Sequence, residues 1–168
     1  MIVVADTSPL NYLVQIDCQS LLRTLYRRVL VPTAVFFELK DPNSPASIKQ
    51  WLAHFPEWLV VKPTVAVPDP ALSHLGPGER EAIQLAQQEQ ADLLLIDERK
   101  GRTEARLRGL ATTGTLGVLL ASAEYGLIDA EACYERLIRE TNFRTTPMLE
   151  KSFLQQVRNR STGPTTDN

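Results

Sequence analysis

Two short apolar runs, "MIVVAD" and "DLLLID", constrain this chain most. Neither alternates with polar residues, and each stops on an acid, Asp6 and Asp97. A strand that is apolar on both faces must be covered on both, which is the condition of a parallel sheet buried between helices. Helical patterns separate the runs. "GEREAIQLAQQEQA" places Ala82, Leu85 and Ala86 at i, i+3, i+4 spacing. "TSPLNYLVQID" begins with Ser8 as a potential cap and Pro9 suited to a first turn. "VLVP" and "EWLVVKP" read as further strands, "ATTGT" as a short strand or turn. Gly126 ends a helix over "LGVLLASAEYGLI", Asp129 caps the next, and "TPMLEKSFLQQVRNR" is the last. Buried strands alternating with helices predict an α/β fold with a largely parallel sheet.

The length of 168 residues suits one domain with its own core. The stretch "PTVAVPDPALSHLGPG" is rich in proline and glycine, yet the halves beside it are too small for separate cores, so it reads as an internal loop. A single domain over 1–160 with a frayed tail at 161–168 is expected. A net charge of −2 argues against non-specific nucleic-acid binding driven by bulk charge, though not against a local basic patch. Cys18 and Cys133 stand outside any CxxC pattern and read as packing residues or free thiols of a reducing compartment. The first residues lack the basic region of a signal peptide, and no run approaches the ~18 apolar residues of a membrane span. A cytoplasmic protein without membrane association is expected.

Asp6 and Asp97, at the ends of parallel strands, fall on one edge of the sheet, the edge where such folds bind ligands. Two more acids are candidates by position. Glu38 comes late in the helix that begins at Pro32, and Glu79 follows Gly78 at the start of another. Carboxylates without a His or Cys ligand pattern favour Mg²⁺ or Mn²⁺ over Zn²⁺. Such a site activates water and holds phosphate oxygens. Each acid also has a plainer role: Asp6 or Asp97 as a helix cap, Glu79 as a favourable charge at a helix N-terminus, Glu38 as a solvated helix residue. Spacing leaves both readings open. Arg99, Arg102 and Arg106 share one helix face, either for phosphate contacts or as a solvated surface with neighbours such as Glu98. His54 and His74 have no metal-type spacing, and Trp51, Phe55 and Trp58 read as core.

"VVADTSPLNYL", "VPTAVFFEL", "GPGEREAIQLA", "LLLIDERKGRTEA" and "GTLGVLL", in this order, resemble a PIN domain over roughly residues 1 to 140. The likeness is to the VapC-like group of toxins from toxin–antitoxin pairs. The segment after Asp97 departs from their commonest pattern and resembles a PIN subfamily with "DE..GR..A" and "GT.G". The resemblance implies a three-layer α/β/α sandwich. It also implies a Mg²⁺- or Mn²⁺-dependent endoribonuclease with Asp6, Glu38, Glu79 and Asp97 as metal ligands. Many family members have Asp where this chain has Glu79, whose longer reach points to water-mediated or second-metal contact. Thr7, Ser8 and Asn11 become candidates for positioning water or phosphate, and Arg102 for a phosphate contact. An RNA substrate, a homodimer and a cognate antitoxin are further implications. The competing reading is a catalytically inactive PIN-like module that binds RNA or a protein partner. Phosphotransfer through an aspartate needs a second Asp near the first, as in DxD, which "ADTSPL" lacks.

Overall fold

A computed structural model describes residues 1–161. Of the expected tail at 161–168, only Ser161, the last residue of a helix, falls among the described residues. The five strands are β1 (Val3–Ala5), β2 (Val29–Pro32), β3 (Leu59–Lys62), β4 (Leu93–Leu95) and β5 (Thr112–Thr113). All pair in parallel, in the order β3-β2-β1-β4-β5. The chain therefore builds outward from β1 on one side and returns to build β4 and β5 on the other. The reversal falls between β1 and β4, whose register pairs Val3 with Leu93 and Ala5 with Leu95. A crevice opens at the carboxyl ends of strands that diverge in this way.

The helices form the two outer layers of the sandwich. Val3, Ala5, Val29, Val31 and Leu95 face one core. Around it gather α1 (Thr7–Gln15), α2 (Ser20–Tyr26), α3 (Thr33–Leu39), α4 (Ala46–Ala53), α7 (Thr115–Glu124), α8 (Ala130–Glu140) and α9 (Pro147–Ser161). Val4, Leu94 and Ile96 face the second core, closed by α5 (Pro77–Gln88) and α6 (Arg99–Leu107). Alternation of side chains along each strand explains why both cores need apolar residues from the same short runs. The proline-rich stretch links β3 to α5 within this one sheet. Gln84 and Gln88 hold it by donating to the carbonyls of Val67 and Val65, each at 2.7 Å, and Asp69 caps a single 3₁₀ turn at Pro70–Leu72.

Three local expectations are revised, and that for the two cysteines stands. Asp6, with extended backbone, takes the cap position of α1, so Ser8 is not its cap and Pro9 falls on the third helical residue. Proline is tolerated there because the first four helical N–H groups have no partner within the helix. Phe55 is 39% exposed and pairs edge-on with Phe36, whereas Trp51 and Trp58 pack on each other. Cys18 and Cys133, distant in sequence, bring their sulfurs to 3.8 Å as free thiols. Burial pushes the Cys18 thiol up to about 12. Asp97 does not cap α6; Glu98 does, accepting from the Lys100 amide. No described helix is long and apolar enough to cross a membrane.

Candidate active site

Asp6 follows β1 directly, and its N–H donates to the Leu95 carbonyl of β4 at 2.9 Å. Its side chain is therefore fixed at the point where the strand order reverses. Asp6 is 2% exposed, and its Oδ1 has no hydrogen-bond partner. Burial raises its pKa from 3.8 to about 7, against the lowering pull of the Thr7 amide. The negative charges of Glu79, Glu38 and Asp97 raise it further. All four acids singled out in the sequence thus lie within one electrostatic field, although they come from four different segments.

Each of the other three is held by the protein. Glu38, in the last turn of α3, accepts from the Thr7 hydroxyl and from the Gly78 N–H at 2.8 Å. The glycine is required here: a Cβ on Gly78 would lie 2.7 Å from Glu38 Oε1. Glu79 reaches back to the Gly76 N–H at 3.0 Å and so completes the first turn of α5. Burial raises its pKa, with Glu98 and Glu38 adding to the rise and the Gly76 amide and His74 opposing it. Asp97 accepts from the Thr115 N–H and hydroxyl at the start of α7, both at 2.7 Å. Burial raises its pKa also, while Thr115 and the Arg102 charge pull it down.

Arg102 belongs to the same neighbourhood. A Cβ on Gly114 would meet Asp97 Oδ1 at 2.5 Å and Arg102 Nη1 at 3.4 Å, so this glycine leaves room for both. Arg102 makes no ion pair among the described residues, its helix neighbour Glu98 included. Arg106 donates to Thr112, and Arg108 is taken by Asp69 and Glu104. Ser8 lines the cavity beside Asp97, whereas Asn11 accepts from Gln15 along α1 and does not line it. Sequence reasoning missed Thr115, Gly78 and Gly114 as holders of the acids. It also missed Tyr12, Asn142 and Arg144, which share the cavity with Asp97. The letters "GPGE" and "GT.G" carried a signal for the first three but no role.

The donor set suits a hard cation in one respect: a buried carboxylate oxygen without a donor lies amid three more acids. In another respect it is not assembled. Among the described residues no three Asp, Glu, His or Cys side chains group as ligands of one ion.

A family model described as a PIN domain matches residues 2–159. The chain belongs to the PIN domain family. Among solved structures it is similar to a PilT N-terminus domain protein from the hyperthermophilic archaeon Sulfolobus solfataricus P2. The identity is 20%, the TM-score is 0.52, and the match covers 73% of this chain and 93% of that one. At that identity the likeness establishes the fold. No curated protein matches the chain. PIN domains are generally nucleases, so the acidic crevice between β1 and β4 belongs to a nuclease-type fold.

Proposed function

We propose that this PIN domain is a Mg²⁺- or Mn²⁺-dependent endoribonuclease that hydrolyses RNA phosphodiesters. The observation that carries the reading is Asp6: a buried acid with an unpartnered oxygen, at the strand reversal, in the field of Glu38, Glu79 and Asp97. A buried acid amid further like charges is unfavourable unless a cation or a proton neutralises it. Asp6, Glu38, Glu79 and Asp97 are the residues that would hold a divalent ion, which would supply an activated water and neutralise phosphate oxygens.

The chain's own groups then have distinct tasks. Asp6 is the central ligand, fixed by its bond to β4. Thr7 and Gly78 aim Glu38, Thr115 aims Asp97, and Glu79 divides its carboxylate between helix and site. Ser8 and Arg102 face the incoming phosphate, Ser8 as a neutral donor and Arg102 as a cation that forms no ion pair among the described residues. Arg102 positions the backbone and reads no base. Asn11 ranks below them, since Gln15 occupies its amide oxygen.

The likeness of "VVADTSPLNYL" and "LLLIDERKGRTEA" to the VapC-like group supports a finer reading. In it the protein is the cytoplasmic toxin of a type II toxin–antitoxin pair, acts as a homodimer, and is silenced by a cognate antitoxin. One observation favours the alternative, an inactive PIN-like module that binds RNA or protein: three of the four acids are already engaged by protein donors.

The deciding experiment incubates purified protein with varied RNAs in Mg²⁺, Mn²⁺ or EDTA, beside Asp6→Asn and Asp97→Asn. Cleavage that needs metal and vanishes in both variants is expected. If wild type cleaves none of the RNAs and calorimetry detects no metal binding, the module reading replaces the enzyme. Growth arrest on expression of wild type but not Asp6→Asn tests the toxin role separately.

A further inference from the structure

A cavity of 360 Å³ opens beside Asp97 and extends beneath α9. Its volume lies at the small end of ligand pockets, enough for one nucleotide and too little for a duplex. Part of its wall is apolar, from Leu120 of α7 and Phe153 of α9. Tyr12 and Phe143 also line it, their rings in edge-on contact at 5.1 Å. Its polar lining includes Arg102, Asn142 and Arg144, beside the acids Asp97 and Glu98. Neither arginine forms an ion pair among the described residues, and the Asn142 amide makes no side-chain hydrogen bond there. The Arg144 charge is close enough to Tyr12 to pull its pKa down, and the Asp97 charge is close enough to push it up. Tyr12, Arg144 and Asp97 all line this one cavity.

We propose that this cavity is the subsite for the nucleotide adjoining the cleaved phosphodiester. Its base lies against Tyr12 and Phe143, its phosphate is held by Arg144 and Arg102, and Asn142 reads the base edge. The assignment rests on the ribonuclease reading above and adds to it a source of sequence preference. Its charge logic is direct. Arg102 and Arg144 form no ion pair among the described residues and line the cavity beside Asp97, so they offer a phosphate its attractive contacts next to the acidic site. An aromatic surface accepts any base by stacking, and an amide adds hydrogen-bond discrimination among bases. The segment between α8 and α9 supplies Asn142, Phe143 and Arg144, so preference is set by a part of the chain separate from the acids.

The test has two arms. In EDTA, the four nucleoside 5′-monophosphates and inorganic phosphate are titrated into the full chain by calorimetry. One nucleotide is expected to bind at least tenfold more tightly than inorganic phosphate. Arg144→Ala should weaken all nucleotides about tenfold, Asn142→Ala should erase the preference among bases, and Leu120→Trp should block binding. Arg139→Ala, on the exposed face of α8, should change nothing. Asn142 and Arg144 are both exposed, so their variants keep the fold even if Leu120→Trp does not. In the second arm, cleavage sites on a randomised RNA are mapped with Mn²⁺. Wild-type cleavage with a base preference unchanged in Asn142→Ala and Arg144→Ala overturns the subsite and leaves the ribonuclease standing. Equal binding of phosphate and nucleotides also overturns it. Selective nucleotide binding without any RNA cleavage retains the pocket and removes the ribonuclease.

Discussion

Thr115 grips Asp97 twice, through its backbone N–H to Oδ1 and its hydroxyl to Oδ2, each at 2.7 Å. The two residues lie 18 positions apart, and Thr115 is fully buried. The contact ties the carboxyl end of β4 to the first turn of α7, where the helix dipole also favours a negative charge.

Replacing Thr115 by Val keeps the shape and the N–H bond but removes the hydroxyl donor. A carboxylate oxygen left short of a donor in a buried site costs about 1–3 kcal/mol. Urea unfolding should record a loss in that range, and the RNA cleavage rate should fall, while Thr115→Ser keeps most of both. A Val variant as stable and active as wild type would remove Thr115 from the account.

Gly78→Ala and Gly114→Ala act on the acids directly, since the new methyl occupies the space of the Glu38 and Asp97 carboxylates. Displacement by about 1 Å costs on the order of a hundredfold in rate. Gly109 provides the contrast. Its φ is +75° and nothing lies within 4 Å of its Cβ position. Gly109→Ala should therefore cost about 1–2 kcal/mol through backbone strain and leave cleavage unchanged. Kinetics and thermal denaturation of the three variants separate the two effects.

Asp6 makes the metal-free protein sensitive to pH. Its folded pKa, about 7, lies above the ordinary 3.8. The stability linked to this group is fully present below about pH 3.8 and is lost as pH rises through about 7. The whole span corresponds to on the order of 4 kcal/mol. In EDTA, Asp6→Asn should raise Tm relative to wild type at pH 8 and change it little at pH 4. Added Mn²⁺ should raise the wild-type Tm and not that of the variant. A Tm difference independent of pH would contradict the buried, raised carboxyl.

Arg108 joins Asp69 of the long loop at 2.8 Å to Glu104 of α6 at 2.6 Å. Arg108→Ala removes the tie between loop and helix. Limited proteolysis should then cut within residues 63–75 faster than in wild type, with the sheet intact by circular dichroism. An unchanged cleavage rate would show that Gln84 and Gln88 suffice to hold the loop.

The sequence by itself determined the layered α/β architecture, because unbroken apolar runs such as "IVVA" and "LLLI" are stable only with both faces covered. It also placed Asp6 and Asp97 at strand ends, since a charged residue cannot continue such a run. Only the tertiary structure decided that β1 lies between β2 and β4, and hence that Asp6 bonds to Leu95 and shares a field with Asp97. Periodicity reports which face of an element is buried and says nothing of which element covers it. The same limit hid Thr115 behind Asp97, Gly78 beneath Glu38, and Arg144 near Tyr12. These pairs depend on strand order and helix packing, and no local pattern of residues encodes either.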